Sequence, residues 1–460
     1  MSRRVLTRAL QHWVDPERVF TEVYGRAPNA FWLDSGHNAA TGTSYLGAGD
    51  PVASPADLPE LIEHLRRGRV AIDAVRGIDG PSAGFALGWV GWLSYEFGAA
   101  QHRVETAPTA LPGAALLWVT RAIAFDHAAG IVTLLALDGE PDAAGWLENT
   151  SRRLDAIRLD TIRLGRRRAL EPFPLPGTSR IRPGDAAPRA RWRHDPAAYV
   201  RLVRECQESI RRGDAYQLCL TNEIRADVRP DPLTLYLRVR ASNESHHGGY
   251  LRIGDVALVS ASPERFLHID SGGGVETRPI KGTRPRGASI DDDERLKREM
   301  LASDKERAEN LMIVDLMRND LSRVARLGSV EVTGLLQVES YSSVHQLVST
   351  VTAQLGHGAD SLDAVAALFP AGSMTGAPKI SAMRILNRLE GGPRGIYAGA
   401  FGYLGLDGAL DLAMVIRSVV LTADGASIGT GGGITALSIP DEEVEETRLK
   451  AAPLLDALGL

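Results

Sequence analysis

Short apolar runs separated by turn-rich stretches dominate the first 150 residues of this 460-residue chain. Residues 130–137, with the sequence GIVTLLAL, are one example, and such runs are typical of β-strands joined by loops. A second run at residues 88–96 contains Gly88 and Gly91, which indicate close backbone packing between sheets. The first part of the chain is therefore predicted to be a sheet-containing region, and its sequence shows no cluster of catalytic residue types.

The composition changes between residues 164 and 193. Three arginines follow one another at Arg166–Arg168, and five prolines interrupt any regular element. A basic stretch is compatible with an anionic partner, but Glu171 and Asp185 lie within it and favour a solvated linker. This pattern predicts a division into an N-terminal sheet-containing region at 1–163, an Arg/Pro-rich linker at 164–193 and a catalytic domain at 194–460.

Beyond residue 194 the pattern alternates between helical and strand-like elements. Residues 199–212 carry apolar side chains at helical spacing, among them Cys206, and the run stops at a glycine. Residues 217–223 alternate like a strand and contain Cys219. Both cysteines of the chain thus fall on apolar stripes, which disfavours a nucleophilic or metal-binding role for either of them.

The overall composition narrows the class of protein. Apolar residues make up 44% of the chain and charged residues 24%, as in ordinary globular proteins. The net charge of -5 gives no basic footprint for nucleic acid. The sequence has neither an 18-residue apolar span nor a signal-peptide pattern, and two cysteines exclude a disulfide scaffold. We therefore expect a cytoplasmic protein without a nucleic-acid or membrane partner.

Two predicted helices carry glutamates three residues apart. Glu306 and Glu309 form one pair, and Glu443 and Glu446 form the other in a helix that begins after Pro440. This spacing places each pair on one helix face. Either pair alone is compatible with a solvated face, whereas four carboxylates around one pocket require a cation. Oxygen ligands favour Mg²⁺, and the lack of His or Cys at ligand spacing disfavours Zn²⁺.

Two segments are candidate anion-binding elements. Residues 429–433, Gly-Thr-Gly-Gly-Gly, follow a short predicted strand, and their bare N–H groups suit a carboxylate cradle, with a plain tight turn as the alternative. Ser373 and Thr375 precede Pro378, whose position signals the first turn of a helix. Their hydroxyls are therefore predicted to gather at the N-terminal end of that helix and to cap it.

Five motifs resemble those of the chorismate-utilising enzymes. They are SPERF at 262–266, PIKGT at 279–283, AENLM at 308–312, DLMRNDL at 315–321 and FPAGSMTGAPK at 369–379. The resemblance covers nearly all of residues 193–460 and, more thinly, 25–137. It implies an α/β (α+β) fold like that of anthranilate synthase component I, a sandwich of two large antiparallel sheets flanked by helices, with residues 194–460 as the chorismate-binding domain.

The resemblance also assigns roles to individual residues. It implies that Glu309 and Glu446 bind Mg²⁺ directly, with Glu306 and Glu443 behind them through water. His345 matches a family histidine that lies beside the substrate ring. The residues that the resemblance places around the two carboxylates of chorismate are Ser373, Thr375, Tyr397, Arg417, Gly431, Gly432, Gly433 and Lys450.

Three further positions bear on the reaction. The water-using branch of the family has a lysine base where this chain has Gln217, and an amide cannot deprotonate water. The motif PIKGT, which contains Lys281, resembles that of the branch that forms 4-amino-4-deoxychorismate. Anthranilate synthases have alanine at the position of Lys281. The resemblance thus implies that Lys281 attacks the ring at C2, that Glu264 protonates the departing C4 hydroxyl, and that ammonia then adds at C4.

The resemblance implies that the ammonia comes from a separate glutaminase subunit, and neither cysteine of this chain is in a nucleophile-elbow setting. A separate enzyme is expected to convert the product into 4-aminobenzoate. Two alternatives remain: an anthranilate or aminodeoxyisochorismate synthase, and a non-catalytic regulatory paralogue that binds chorismate. The chain departs from many relatives at residues 243–249 and at Leu437, which puts tryptophan binding in doubt.

Overall fold

The computed structural model describes residues 4–70, 84–168, 190–243, 245–341 and 344–460. Within these ranges the chain forms strands and helices that we number separately in chain order. The strands are β1 (Val5–Ala9), β2 (Asn29–Asp34), β3 (Thr43–Ala48), β4 (Asp50–Pro51), β5 (Gly88–Leu93), β6 (Ala114–Val119), β7 (Arg121–Asp126), β8 (Ile131–Leu137), β9 (Ala190–Trp192), β10 (Gln217–Ala226), β11 (His247–Ile253), β12 (Val256–Ser262), β13 (Arg265–Ile269), β14 (Gly274–Thr277), β15 (Ile280–Pro285), β16 (Glu331–Ser340), β17 (Val344–Gln354), β18 (Gly376–Ala377), β19 (Ala400–Gly405), β20 (Leu410–Met414), β21 (Ser418–Thr422) and β22 (Gly425–Ile434).

The helices flank these strands. They are α1 (Pro16–Val23), α2 (Leu58–Val70), α3 (Tyr95–Gln101), α4 (Ala143–Arg168), α5 (Pro196–Arg211), α6 (Pro232–Ser242), α7 (Ile290–Ala302), α8 (Asp304–Ser322), α9 (Ser361–Leu368), α10 (Gly372–Thr375), α11 (Lys379–Glu390) and α12 (Pro440–Leu458). Every helix in the described ranges is too short or too polar to cross a bilayer.

The strands form two large antiparallel sheets. The 12-stranded sheet has the order β1-β8-β7-β3-β2-β11-β12-β21-β22-β10-β18, with β9 also paired to β10. The 10-stranded sheet has the order β15-β17-β14-β13-β20-β19-β5-β6-β4, with β16 also paired to β17. The predicted sandwich of two large antiparallel sheets with flanking helices is confirmed.

The main hydrophobic core joins the two sheets. Leu135 and Leu258 of the 12-stranded sheet belong to one buried cluster with Trp92 and Leu412 of the 10-stranded sheet. Burial of both faces explains why the sequence of these strands is nearly continuously apolar rather than alternating.

Both sheets mix strands from the two halves of the chain. Strand β2 pairs with β11, and β5 pairs with β19, so the N-terminal region completes both sheets instead of forming a sheet of its own. Helix α4 continues to Arg168 across the predicted boundary at residue 163. Most of the predicted linker, residues 169–189, lies outside the described residues, and its end at 190–192 is a strand paired with β10.

The glycine run at 429–433 is strand, so the tight-turn alternative is wrong, whereas the carboxylate cradle stays a prediction. All five residues lie inside β22, and Gly429 to Gly433 pair with Glu223 to Cys219 of β10. Glycines without side chains therefore line a stretch of sheet at which helices α8 and α12 and the side chains of other elements meet.

Candidate active site

Residues from six elements converge on the end of β22 and β10. Helices α8 and α12 bring carboxylates, β15 brings Lys281, and α10 brings Ser373. Glu264 lies between β12 and β13, and Gln217 opens β10. The sequence scatters these positions over more than 200 residues, and the sandwich brings them to one place.

Lys281 lies in a β-bulge. The register between β15 and β17 shifts between Ile280 and Thr283, and Gly282 has φ of +93°, a left-handed conformation that favours glycine. Bulges re-aim a side chain out of the regular alternation of a strand. Here the bulge directs the Lys281 side chain, which is half-buried, toward Glu309, Glu264 and Glu446.

Three carboxylates meet beside the glycines of β22. A Cβ atom built on Gly432 would lie 2.9 Å from Oε2 of Glu443 and 3.5 Å from Oε1 of Glu446. A Cβ atom on Gly433 would lie 3.1 Å from Oε2 of Glu309. The absence of side chains on the strand is therefore what lets the glutamates of α8 and α12 approach it and each other.

Lysines balance these carboxylates. Lys305 donates to Oε1 of Glu443 at 2.6 Å, and Lys450 lies 2.5 Å from Oε1 of Glu446. Lys450 also donates to the carbonyl of Gly431 at 2.7 Å. Oε2 of Glu443 is buried and has no hydrogen-bond partner among the described residues.

Burial and charge oppose each other in this cluster. Burial raises the pKa of Glu309 above its usual range despite the positive charges of Lys281 and Lys305. Glu446 is also affected by burial, but the ammonium group of Lys450 holds its pKa below the usual value. Neighbouring carboxylates with pKa values moved in opposite directions are typical of functional sites.

Glu264 is almost fully buried, with an exposure of 7%. Burial raises the pKa of its carboxyl group to about 7, against the lowering effects of Lys281, a hydrogen bond from Ser373, and Lys450. A carboxyl group that titrates near neutrality can donate a proton at physiological pH, as the predicted general acid requires.

Gln217 lies beside the same glycines. A Cβ atom on Gly433 would be 2.3 Å from Nε2 of Gln217, so alanine does not fit at this position without movement. The other amide atom of Gln217, Oε1, is buried without a hydrogen-bond partner in the described part of the chain. An unpaired acceptor that faces a polar cluster is a suitable contact for a ligand donor.

Of the predicted substrate-binding residues, Tyr397 lies against the same strand, and Arg417 is close enough to Tyr397 and Glu446 for their charges to act on it. The Tyr397 ring packs on Gly429, where a Cβ atom would come within 2.0 Å of the ring. Arg417 has φ of +50°, a strained conformation for a residue with a side chain. Burial lowers the pKa of Arg417, against the opposing effects of Tyr397 and Glu446.

Two predicted site residues do not join the cluster. Glu306 forms an ion pair with Arg284, at 2.8 Å from Oε1, and lies against Gly282. Its i, i+3 spacing from Glu309 is as predicted, but an arginine of β15 engages it in place of the shared pocket.

His345 is the second. It is fully buried, with Nδ1 at 2.9 Å from Oγ of Ser340 and Nε2 at 2.9 Å from Oδ1 of Asp293. The structure thus engages both ring nitrogens of His345, one with Ser340 and the other with Asp293 of α7. Gln346, which is next in the strand and buried, projects to the opposite face because side chains alternate along β17.

Ser373 and Thr375 do not cap the helix that follows Pro378, contrary to the prediction. They form the short helix α10, and α11 begins at Lys379 without a side-chain cap. The Thr375 hydroxyl donates to the carbonyls of Ala371 and Gly372, so its contact is within α10. Ser373 instead reaches Glu264, which keeps it in the site.

The sequence analysis missed Lys305. It lies four residues before Glu309 on α8, and this i, i+4 spacing was the available signal that both side chains share a face. Its partner is Glu443 on the other acidic helix, a contact that only the tertiary structure reveals.

Comparison with known proteins identifies the family of this chain. Residues 31–456 match the family described as chorismate binding enzyme. The chain is 41% identical to the aminodeoxychorismate synthase of Streptomyces griseus over 99% of its own length and 64% of that protein. It is 40% identical to anthranilate synthase component 1 of Thermus thermophilus over 82% of its own length and 78% of that protein. The chain thus spans 64% of the length of the two Streptomyces relatives it matches.

Solved structures give the same result for the fold. Anthranilate synthase component I from Streptococcus pneumoniae superposes with a TM-score of 0.70 at 27% identity, over 96% of this chain and 97% of that chain. The menaquinone-specific isochorismate synthase MenF from Escherichia coli has a TM-score of 0.71 at 18% identity, over 99% and 95% of the two chains, and at that identity it bears on the fold alone. The resemblance stated from the motifs is confirmed, and the chain belongs to the chorismate binding enzyme family.

Proposed function

We propose that this chain converts chorismate and ammonia into 4-amino-4-deoxychorismate, a precursor of 4-aminobenzoate. The observation that carries the proposal is the position of the Lys281 amine beside Glu264, in the same cluster as Glu309 and Glu446. The relatives named aminodeoxychorismate synthase support it, at 41% and 40% identity over nearly the whole of this chain.

In the first step, the amine of Lys281 bonds to ring carbon C2. The two ring double bonds shift, and the C4–oxygen bond breaks. Glu264 donates a proton to the departing hydroxyl, which leaves as water. The lysine nitrogen then carries the positive charge of the adduct.

In the second step, ammonia bonds to C4 on the ring that Lys281 has activated. The double bonds shift back, the C2–nitrogen bond breaks, and its electron pair returns to Lys281. The new C4 ammonium group loses a proton, which restores Glu264 to its acid form. The balance is one chorismate and one ammonia consumed, and one aminodeoxychorismate and one water formed.

The protonation state of Lys281 sets a condition on this mechanism. Burial alone lowers the pKa of Lys281, but Glu309, Glu264 and Glu446 together raise it above its usual value. Attack requires the neutral amine, so the negative charge of these carboxylates must be compensated when substrate is bound.

The donor set suits Mg²⁺. Within the described ranges, no group of three or more His, Cys, Asp or Glu side chains is arranged to hold a metal ion as it stands. However, the buried and unpaired Oε2 of Glu443 and the nearby carboxylates of Glu309 and Glu446 are hard oxygen donors without a competing His or Cys. We therefore propose Glu309 and Glu446 as direct ligands and Glu443 as an outer one. A bound Mg²⁺ orients the ring carboxylate of the substrate and offsets its charge.

Glu306 is the least suited of the four predicted metal-site residues, because Arg284 already satisfies both of its oxygens. For the second carboxylate of chorismate we propose Arg417, whose planar guanidinium suits bidentate contact, and the backbone of Gly431, Gly432 and Gly433. Tyr397, Ser373 and Lys450 complete the proposed binding surface, and the hydroxyl of Thr375 supports α10 from within.

The ammonia donor is proposed to be a separate glutaminase. The deciding experiment mixes purified chain with chorismate, Mg²⁺ and ammonium at mildly alkaline pH, where part of the ammonium is free ammonia. The product is identified by mass and ultraviolet spectrum. 4-Amino-4-deoxychorismate supports the proposal, whereas anthranilate would transfer the chain to the branch represented by the Thermus thermophilus relative.

In ammonia-free buffer, isochorismate is expected to be at most a minor product. An amide cannot take a proton from water, and Gln217 is the residue beside Gly433 where a base would be needed. Chromatography of the products with and without ammonium measures this. Isochorismate as the main product under both conditions would contradict the prediction and place the chain in the water-using branch.

At saturating chorismate and Mg²⁺ and a constant concentration of free ammonia, kcat is expected to fall as the pH rises through about 7, because the proposed compensation of charge leaves Lys281 neutral in the substrate complex. Burial raises the pKa of Glu264 to about 7, and a general acid must hold its proton to act. In Ser373→Ala this alkaline limb is expected to move to higher pH, since the hydroxyl that stabilises the carboxylate is lost. Initial rates of chorismate loss across the pH range measure both profiles.

Ser151→Ala is the matched control for that experiment, because Ser151 is a buried serine of α4, outside the site. Its profile is expected to coincide with that of the parent. If the alkaline limb of the pH profile moves in neither Ser373→Ala nor Ser151→Ala, the limb does not report the pKa of Glu264.

A further inference from the structure

Arg394 is buried behind the site and makes five directed contacts. Its Nε and Nη2 donate to the two carboxylate oxygens of Glu390 at 2.8 and 2.7 Å. Nη1 donates to the carbonyl of Met374 at 2.6 Å, and Nη2 also donates to the carbonyl of Cys219 at 2.9 Å. The guanidinium lies 4.2 Å from the centre of the Tyr95 ring. Such a bidentate, stacked arrangement is specific to arginine.

The Arg394–Glu390 ion pair lies at the edge of β10, between two short strands that pair with that edge. Strand β10 pairs on its outer edge with β18 at residues 217–218 and with β9 at residues 224–226. Between these partners, the Cys219 carbonyl accepts from Arg394, and the Thr221 N–H donates to Oε1 of Glu390 at 2.9 Å. The two side chains thus take the place of a neighbouring strand along this part of β10.

The same guanidinium fixes helix α10. Met374, whose carbonyl it binds, is the residue next to Ser373, and Ser373 hydrogen-bonds Glu264. The arginine is itself held from behind, because its backbone N–H donates to Oε1 of Glu96 at 2.7 Å. One rigid group therefore connects the strand that begins with Gln217 to the turn that carries Ser373.

We propose that Arg394 is a positioning residue for the amination reaction. It sets the distance between α10 and β10, so that Ser373 keeps its contact with Glu264 and Gln217 stays beside Gly433. The inference rests on the proposed function. Arg394 touches neither the carboxylate cluster nor Lys281, so it acts through Ser373 and β10.

The proposed coupling between Arg394 and Glu264 predicts a shift of the pH profile, which a loss of stability alone would not cause. The groups that act on the Glu264 carboxyl are Lys281 of β15, Lys450 of α12 and Ser373 of α10. Of these, only Ser373 is on the element that Arg394 holds. A displaced α10 therefore removes the Ser373 hydrogen bond and leaves the two lysines in place.

The test uses Arg394→Lys, which keeps the charge but cannot form both bonds to Glu390 along with those to Met374 and Cys219. We expect kcat/KM for chorismate consumption to fall by about tenfold or more, as for lost supporting contacts. The alkaline limb of the pH profile is expected to move up by as much as in Ser373→Ala. The double variant should lose little more than either single variant, because both changes remove the same contact.

Arg240→Lys is the matched control. Arg240 of α6 is also buried, binds Asp34 at 2.6 Å and lies 4.6 Å from the Trp32 ring, but both of these partners are on β2, outside the site. Its pH profile is expected to remain that of the parent at a similar loss of melting temperature. Glu390→Gln serves as a second variant if Arg394→Lys does not fold, and the same upward shift is expected.

Two results would overturn the inference. One is an unmoved pH limb in folded Arg394→Lys or Glu390→Gln, and the other is full additivity with Ser373→Ala. Chorismate loss is measured regardless of which product forms. A parent enzyme that makes anthranilate would therefore refute the proposed function, while the coupling between Arg394 and Ser373 would still be decided.

Discussion

Lys281→Ala is expected to lower the rate of 4-amino-4-deoxychorismate formation by ~10²-fold or more, a size scaled from the loss of a nucleophile or acid–base group. The amine is the group proposed to bond to C2, and Glu264 and Glu309 lie close to it. Without it, the first displacement has no nucleophile from the protein. Initial rates at saturating ammonia, with product separation, measure the effect.

The same variant should also change the product. Removal of the lysine side chain leaves room at C2, so ammonia can attack there and slowly yield 2-amino-2-deoxyisochorismate or anthranilate. Lys297→Ala is the control, because Lys297 is a lysine of α7 that pairs with Glu294 outside the site. A Lys281→Ala enzyme that makes the 4-amino product at the parent rate would show that the lysine is only a neighbour of the substrate.

The fold class could be predicted from the motifs, but the distribution of strands between the sheets could not. Apolar runs such as residues 130–137 identified strands because burial on both faces leaves a local signature. The pairing of β2 with β11 joins residues more than 200 positions apart, and no local pattern encodes it. This is why the N-terminal region appeared to be a separate unit when it in fact completes both sheets.

Helix periodicity predicts which residues of the candidate site share a helix face, but it does not predict their partners. The i, i+3 spacing correctly put Glu443 and Glu446 on one face of α12, and both approach Gly432. The same spacing could not show that Arg284 of another element engages Glu306. Periodicity fixes which face a side chain is on, whereas its partner depends on the tertiary structure.

The local composition of residues 429–433 does not predict the strand that they form. Three successive glycines favour a turn when seen alone, because glycine weakens a strand. In the structure the pairing of Gly429–Gly433 with β10 overrides that preference. The missing side chains make space for the Tyr397 ring and for Glu309, which would otherwise clash with the strand.

Glu309→Gln and Glu446→Gln are each expected to lower turnover by ~10²-fold or more, on the scale of lost metal-site contacts. Glutamine keeps the size of the side chain but removes the charge that a Mg²⁺ ligand supplies. Glu309 has an exposure of only 7%, so its variant tests the buried cluster and not a solvated helix face. The Glu446 side chain is 42% exposed, so its variant tests the more open side of the cluster. Mg²⁺ binding is measured by calorimetry without substrate, and turnover is measured across a Mg²⁺ titration.

Glu445→Gln is the matched control, because Glu445 precedes Glu446 on α12 but is exposed and pairs with Arg448. It should bind Mg²⁺ and turn over like the parent. The melting temperature of Glu309→Gln should be close to the parent value or above it, since burial raises the pKa of that carboxyl group. That of Glu446→Gln should be below the parent value, since this variant loses the ion pair with Lys450 that holds the pKa of Glu446 down. Normal activity of Glu309→Gln or Glu446→Gln after removal of metal by a chelator would refute the metal assignment, because neither the carboxylate nor the ion would then be required.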